Sequence, residues 1–206
     1  MFHFIESWGV DSNCYILESD KTVLIDTGTY KNYRIYDYVD ENDLQIDFII
    51  NTHCHYDHIG GNKFFEVPIY AHENDYLDIQ NATEKTFFRA FSNTFEGYKD
   101  VNPLKENDEI DIGDYLLKVI HTPGHTSGSM CLLEVDKSYL FSGDTVFKGS
   151  VGRYDLPSGS LEDLEESLKK LCEIKVKEVF PGHGESFSGK DLLFNKYVVT
   201  LIEGNL

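Results

Sequence analysis

The sequence has few cysteines, few basic residues and no long apolar run. Its four cysteines, Cys14, Cys54, Cys131 and Cys172, are widely spaced without a CxxC pair, so we expect reduced thiols. No apolar stretch approaches the about 20 residues of a membrane-spanning helix. Residues 1 to 15 also lack the basic and apolar parts of a signal peptide. These absences predict a cytoplasmic protein without a membrane partner.

Acidic residues outnumber basic ones by two to one. Eighteen Lys and Arg against 36 Asp and Glu give a formal net charge of -18 at pH 7. A surface this negative repels phosphate backbones, so we expect no nucleic-acid partner. The 206 residues are 41% hydrophobic, without low-complexity tracts, which is enough for one sizeable core. We therefore predict a single domain over residues 1–206.

Short apolar segments separated by Gly, Asp and Ser predict strands in both halves of the chain. The predicted strands are 2–6, 13–18, 22–26, 47–51, 68–71, 115–120, 130–135, 139–141 and 178–180. The predicted helices are 32–39, 73–98, one that begins after Ser160, and 192–202. Strands grouped in each half with helices beside them predict an α/β (α+β) fold, in which helices cover two face-to-face mixed sheets.

The longest predicted helix carries three phenylalanines at helical spacing. Phe87, Phe91 and Phe95 lie at i, i+4 and i+8, which favours packing in the core. A wall of a substrate pocket and a contact between the subunits of a homodimer stay open as alternatives.

A dense cluster of candidate metal ligands follows the predicted strand 47–51. His53, His55, Asp57 and His58 lie within six residues, a pattern that arises by chance in roughly one chain per thousand. Imidazole nitrogen and carboxylate oxygen are preferred ligands of Zn²⁺ and similar divalent ions. The cluster predicts two adjacent ions, with His53 and His55 facing one while Asp57 and His58 face the other.

Three further candidates follow predicted strands and lie among Gly, Pro, Ser and Thr. They are His125 in HTPGHTSGS, Asp144 in FSGDT and His183 in PGHGES. Seven ligands suit two ions if a carboxylate bridges them. Asp144 is the natural bridge because a carboxylate has two oxygens, whereas a neutral imidazole has one available lone pair.

The ordered series HxHxDH, TPGHT, SGDT and PGHG resembles the metallo-β-lactamase superfamily over nearly the whole chain. The segment GDTVFKGSVGRYDLPSG resembles its glyoxalase II-like hydrolases, of the hydroxyacylglutathione hydrolase type, in the short form without a helical glutathione domain. The resemblance implies a four-layer αββα sandwich and two Zn²⁺ ions, with Fe or Mn as alternatives. It also implies a first metal on His53, His55 and His125, a second on Asp57, His58 and His183, and Asp144 as the bridge.

Two residues near these motifs have candidate supporting roles. Asp26 in LIDTG is expected to hydrogen-bond a ligand from behind, with an ordinary strand-end turn as the alternative. Arg153 in GRYD matches a basic family position near the substrate and is expected to hold a substrate carboxylate. The alternative for Arg153 is a surface ion pair with Asp155.

The leading hypothesis is a dinuclear zinc hydrolase of small thioesters, with hydrolysis of other esters as an alternative. Two ions lower the pKa of a bridging water to about 7, so hydroxide is the nucleophile, and Asp57 is the catalytic residue that orients it. A persulfide dioxygenase with one Fe²⁺ on His53, His125 and Asp144 remains open, because the ligands alone do not separate the two reactions. A lactonase and a non-enzymatic metal-binding module are further alternatives.

Overall fold

The structure is a computed structural model that describes residues 1–29, 34–92 and 94–193. The first half of the chain builds one six-stranded sheet with the strand order β1-β2-β3-β4-β5-β6. Its first three strands are antiparallel, and β3 to β6 are parallel. The strands are β1 (Phe2–Ile5), β2 (Cys14–Glu18), β3 (Thr22–Ile25), β4 (Phe48–Ile50), β5 (Ile69–His72) and β6 (Val101–Leu104).

The second half of the chain builds the other sheet. It supplies β7 (Glu109–Asp111), β8 (Leu116–His121), β9 (Met130–Glu134), β10 (Tyr139–Gly143), the hairpin of β11 (Val146–Phe147) and β12 (Ser150–Val151), β13 (Glu178–Pro181) and β14 (Phe187–Ser188). The sheet has the order β14-β13-β10-β9-β8-β7. Its strands are antiparallel except for the parallel pair of β10 and β13.

Five α-helices lie among the described residues. They are α1 (Arg34–Glu41), α2 (Tyr56–Ile59), α3 (Tyr76–Asn81), α4 (Leu161–Cys172) and α5 (Gly189–Leu193). None of the helices in this part of the chain has the length and apolar character needed to cross a bilayer.

Three separate apolar clusters show that the elements form four layers. Side chains alternate across β2, so Ile16 packs in an outer cluster with Ile35 of α1 and Ile79 of α3. Leu17 points the other way, into the cluster between the two sheets. A third cluster lies between the second sheet and α4 and includes Leu164. The predicted αββα sandwich is therefore confirmed.

The predicted helix 73–98 is wrong. The helix α3 ends at Asn81 because Ala82 has a φ of 50°, and Phe87 has a φ of 53°. Residues in this left-handed region cannot continue a right-handed helix. Two short 3₁₀ turns at 84–86 and 88–90 follow. Phe88 is buried, whereas Phe87 is 37% exposed. The regularly spaced phenylalanines therefore lie in an irregular segment that packs on the outer cluster, and not on one face of a helix.

The outcomes for the other predicted helices and strands differ from one element to the next. The helix that begins after Ser160 is confirmed, and Ser160 caps it by accepting a hydrogen bond from the N–H of Asp163 (3.2 Å). The predicted helix 192–202 overlaps the end of α5, and its residues 194–202 lie outside the described part, as do residues 32–33 of another predicted helix. Six short strands and helices were not predicted from the sequence. They are the strands β6, β7, β11, β12 and β14 and the helix α2.

Candidate metal centre

All seven predicted metal ligands come together at one edge of the sandwich. His53 and His55 follow β4, and Asp57 and His58 lie in the first turn of α2. The strands β8, β10 and β13 run in the same direction in the second sheet, so the loops after them emerge at one edge. These loops carry His125, Asp144 and His183.

The ligand atoms form three overlapping groups, and within each group they lie within 4.8 Å of one another. The groups are His53, His55 and His125; His53, His58 and Asp144; and Asp57, His58 and His183. We call the first group the three-histidine cluster and the last group the Asp57 cluster. Together they contain six of the predicted ligands, and the middle group connects them.

In the three-histidine cluster, ring nitrogens face each other across the two sheets. His55 Nδ1 lies 2.8 Å from His125 Nε2, and both side chains are buried. Burial lowers the pKa of His53 well below its usual range and that of His55 to about 3. The His53 and His55 rings are therefore neutral, which is the form that binds a metal.

The Asp57 cluster is more open to solvent. His183 Nε2 lies 3.4 Å from Asp57 Oδ2 and 3.3 Å from His58 Nε2. The His183 side chain is 29% exposed, whereas that of His58 is fully buried. The Asp57 cluster is therefore the part of the centre that is more accessible to solvent.

Asp144 lies between the two clusters. Its Oδ1 is 3.2 Å from His58 Nε2, and its Oδ2 is 3.6 Å from both His125 Nε2 and His183 Nε2. Burial opposes ionisation of Asp144, but the positive charge that His183 and His58 can carry outweighs burial and holds the pKa of Asp144 well below its usual range. An ionised carboxylate that faces both clusters has the position expected of a bridging ligand.

Asp26 fixes the orientation of one histidine in each cluster. Its Oδ2 accepts hydrogen bonds from His58 Nδ1 and Thr52 Oγ1, both at 2.7 Å. Because the Thr52 hydroxyl donates to Asp26, its oxygen is left to accept from His53 Nδ1 at 3.2 Å. His53 and His58 therefore present the lone pairs of Nε2 to the centre. Asp26 takes the supporting position expected from the sequence.

His125 is oriented by main chain rather than by a carboxylate. Its Nδ1 donates to the carbonyl oxygen of Arg153 at 2.6 Å, which leaves the lone pair on Nε2. The Arg153 guanidinium is exposed and makes a two-point ion pair with Asp155 at 2.8 and 2.9 Å. The ion pair was the alternative interpretation of Arg153, and its contact with a substrate stays a prediction.

The residues present fit divalent metal ions. Among the described residues, the buried ring nitrogens His53 Nε2 and His55 Nε2 have no hydrogen-bond partner. Such a loss is costly in the interior of a protein, and a cation removes it. The set of imidazoles and carboxylates contains no thiolate, and it suits zinc, iron or manganese.

Glycine at position 182 makes room for this arrangement. A Cβ there would overlap Asp144 Oδ1 and the His58 ring. In the motif PGHG, Gly182 therefore allows the close approach of this loop to the centre. The adjacent His183 supplies the candidate ligand.

Asn13 supports the His183 loop and was missed in the sequence. Its side-chain amide donates to the carbonyl oxygens of Pro181 (2.9 Å) and Gly184 (2.8 Å), on either side of His183. Its Oδ1 accepts from the N–H of Ser7 at 2.7 Å. No spacing pattern in the sequence joins residues 13 and 183, so only the fold reveals this contact.

A cavity of about 350 Å³ lies between residues 8–11 and the segment that carries Phe91, and none of the predicted metal ligands lines it. Its walls include Trp8 and Val10, which are 78% and 62% exposed, and Phe91. Phe91 packs on Phe87 with ring centroids 6.4 Å apart, and Phe87 lies 6.3 Å from the His55 ring. An apolar surface therefore continues from the cavity to the three-histidine cluster.

Known proteins are similar to this chain in sequence and architecture. A profile of the metallo-beta-lactamase superfamily matches residues 8–183. A probable metallo-hydrolase of Methanocaldococcus jannaschii is 34% identical over 191 residues, which cover 88% of this chain and 91% of that protein. An acyl-coenzyme A thioesterase of Bos taurus is 32% identical over 162 residues, which cover 69% of this chain and 58% of that protein.

Solved structures agree with this family. The crystal structure of the B3 metallo-β-lactamase BLEG-1 superposes with a TM-score of 0.83 and 27% identity, covering 96% of this chain and 99% of that one. A protein crystallised in a di-iron-bound form, TTHA1623, gives a TM-score of 0.81 and 28% identity, covering 95% and 99%. On the fold, the ligand geometry and these similarities, the chain belongs to the metallo-β-lactamase superfamily as a metal-dependent hydrolase.

Proposed function

We propose that the chain is a dinuclear hydrolase of small thioesters, similar to glyoxalase II, with zinc as its metal. The observation that carries the proposal is the position of Asp144, whose two oxygens face His58 on one side and His125 on the other. The thioesterase relative supports a thioester substrate. The di-iron neighbour supports a centre of two ions and makes iron an alternative to zinc.

Divalent ions in the two clusters would supply a hydroxide nucleophile at neutral pH and polarise the substrate carbonyl. Asp57 is proposed to orient the nucleophile, because its Oδ2 lies at the more exposed cluster beside His183. The helix α2 and the Ser12 N–H, which donates to the Asp57 carbonyl oxygen at 3.1 Å, hold this residue in place.

The one thiol beside the ligands does not act as the nucleophile. Burial raises the pKa of Cys54 well above its usual range, and its Sγ contacts the carbonyl oxygen of Lys85 at 3.6 Å. A neutral, buried thiol is a poor nucleophile. A mechanism that uses an activated water therefore agrees better with this site than one that forms a covalent acyl-enzyme.

The apolar cavity supports an acyl or thiol group of modest size as the substrate. Its volume of about 350 Å³ is at the lower end for ligand pockets. The exposed Trp8 and Val10 leave apolar surface for such a group to cover. Phe91 and Phe87 connect this cavity to the His55 ring of the three-histidine cluster.

The dioxygenase alternative has less support. One Fe²⁺ on His53, His125 and Asp144 would leave the Asp57 cluster without a use, although its three residues are assembled as closely as the three histidines. The B3 neighbour makes β-lactams a further substrate to be tested.

The test compares reactions on the zinc-loaded chain. We expect it to release free thiol from S-lactoylglutathione or from a short acyl-coenzyme A under anaerobic conditions, and to lose this activity on chelation and regain it with Zn²⁺. The His53→Ala variant is the negative control. Oxygen uptake with glutathione persulfide that requires iron, without thioester cleavage, would contradict the proposal, as would cleavage of β-lactams alone.

A further inference from the structure

Asp75 is a fully buried carboxylate outside the set of metal ligands. It follows β5 in the segment AHEND and is 0% exposed. Its Oδ2 accepts a hydrogen bond from the N–H of Cys54 at 2.9 Å and another from Thr126 Oγ1 at 2.7 Å. Its Oδ1 lies 3.5 Å from Ser127 Oγ. Within the described ranges, no basic side chain forms an ion pair with it.

Helix capping does not explain this residue. Asp75 is the N-cap of α3, where an aspartate normally accepts a hydrogen bond from an N–H of the first turn. Here its side chain makes no such bond. Both of its oxygens are directed away from the helix, so the residue does not serve mainly to stabilise α3.

The two donors to Asp75 belong to two different ligand loops. Cys54 lies between His53 and His55 in the loop after β4, and Thr126 follows His125 in the loop after β8. These loops come from different sheets. A single oxygen atom therefore joins the segments that supply all three residues of the three-histidine cluster.

The surroundings are shaped for this contact. A Cβ at Gly128 would overlap the Asp75 carboxyl group, so glycine there leaves room for the carboxylate beneath the His125 loop. Burial raises the pKa of Asp75 above its usual value, while the donors Thr126 and Cys54 act in the opposite direction. The hydrogen bonds from both loops therefore offset part of the cost of burying the carboxylate.

We infer that Asp75 is a positioning residue that holds the His53–His55 loop and the His125 loop at the spacing that metal binding by the three-histidine cluster requires. The inference concerns metal affinity and does not depend on which reaction the centre performs. Substitution of residues that support ligands in this way typically lowers metal affinity by about 10- to 100-fold.

The experiment compares two substitutions at this position. Asp75→Ala removes the acceptor for both loops. Asp75→Asn keeps it, because the amide oxygen can take the place of Oδ2 while the NH₂ group donates to Ser127 Oγ. We expect Asp75→Ala to weaken the tighter binding of Zn²⁺ by about 10- to 100-fold, and Asp75→Asn to retain most of the affinity.

Asp78→Ala is the matched control. Asp78 lies on α3 and is also buried. It accepts hydrogen bonds from Thr83 Oγ1 (2.6 Å) and Lys85 Nζ (3.2 Å), and neither donor belongs to the ligand loops. We expect it to lower the melting temperature of the metal-free chain without changing zinc affinity. The measurements are competition with a chromophoric chelator, the zinc content per chain, and thermal unfolding of the metal-free chain.

Equal zinc affinities of Asp75→Ala and Asp78→Ala would overturn the inference, and so would an Asp75→Asn variant that binds as weakly as Asp75→Ala. If Asp75→Ala does not fold, Thr126→Val removes one of the two donors, and unchanged zinc affinity in that variant would count against the inference. A chain that binds zinc in this pattern but cleaves no thioester contradicts only the proposed function.

Discussion

Asp26 Oδ2 lies 2.7 Å from His58 Nδ1, and the two side chains are 3% and 0% exposed. Asp26 also receives both the N–H (2.8 Å) and the hydroxyl (2.7 Å) of Thr52. Three hydrogen-bond donors are directed at the two oxygens of this carboxylate. An NH₂ group in place of either oxygen would therefore face another donor. The Asp26 carboxylate contacts His58 of the Asp57 cluster directly and is linked to His53 of the three-histidine cluster through the Thr52 hydroxyl.

Asp26→Asn should therefore lower metal affinity at both clusters, by about 10-fold or more at each. The amide NH₂ would face the Thr52 or His58 donors, and the tautomers of His53 and His58 would no longer be fixed. Zinc titration with two resolved affinities measures this. A loss confined to one cluster would contradict the shared role of Asp26.

His183→Ala and Asp144→Ala should differ in metal content. His183 belongs to the Asp57 cluster, whereas Asp144 faces both clusters. We expect about one metal ion per chain in His183→Ala and less than one in Asp144→Ala, against two in the unaltered chain. Elemental analysis of protein purified without added metal checks this. Equal losses in the two variants would argue against Asp144 as the bridge.

Asp57→Asn should lower kcat by roughly 100-fold or more while the chain keeps its fold. In the proposed mechanism, the substitution weakens a ligand and removes the charge that orients the nucleophile. Steady-state kinetics with a thioester, with metal content measured on the same sample, tests this. Normal turnover at full metal content would show that Asp57 has no catalytic role.

Asn13→Asp should loosen the His183 loop. The variant still accepts from the Ser7 N–H, but its carboxylate would face the carbonyl oxygens of Pro181 and Gly184. We expect weaker metal binding at the Asp57 cluster and unchanged binding at the three-histidine cluster, which serves as the internal control. Loss of both metals together would show that Asn13 acts on the fold as a whole.

His72 should make the metal-free protein less stable in acid. It is buried and stacks on His121 with ring centroids 3.8 Å apart, and burial, followed by the charge of His121, lowers the pKa of His72 to about 4. Because this pKa lies below the value of about 6.5 in an unfolded chain, the unfolded state binds the extra proton. The stability that neutral His72 contributes is therefore present above pH 6.5 and is lost as the pH falls toward 4.

Comparison with His72→Phe isolates this effect. The variant keeps an aromatic ring but cannot take up a proton. Between pH 6.5 and 4, the free energy of unfolding should fall by about 2 to 3 kcal/mol less in the variant than in the unaltered chain. Denaturant titrations of the metal-free chains at several pH values measure the difference. Parallel pH dependence in the two chains would show that His72 does not titrate in this range.

The candidate metal ligands form a recognisable pattern in the sequence, whereas Asp75, which hydrogen-bonds the loops that carry them, does not. His53, His55, Asp57 and His58 are close in the chain, so their spacing already indicates a metal site. Asp75 touches residues 54 and 126 only because two sheets meet face to face. Contacts of that kind leave no local pattern. Asp26 differs from Asp75 because it directly follows a strand beside the one that leads to His53. It makes the hydrogen bond to His58, and its effect on metal binding stays a prediction.

The helix predicted over 73–98 failed for a related reason. Regular spacing of phenylalanines indicates burial on one side, and an irregular segment can satisfy it as well as a helix. The positive φ angles at Ala82 and Phe87 decide between the two. Neither residue type favours that conformation, so the sequence carries no sign of the break.

The seven ligands are distributed along the chain so that the last of them, His183, is made long after the first. His58 and His183 are 125 positions apart, and His55 and His125 are 70 apart. In the order of synthesis, the strands of the first sheet and its four candidate ligands therefore come before the loops that carry His125, Asp144 and His183. Because a domain folds as a unit, metal binding at full coordination follows only after the chain has been made through His183.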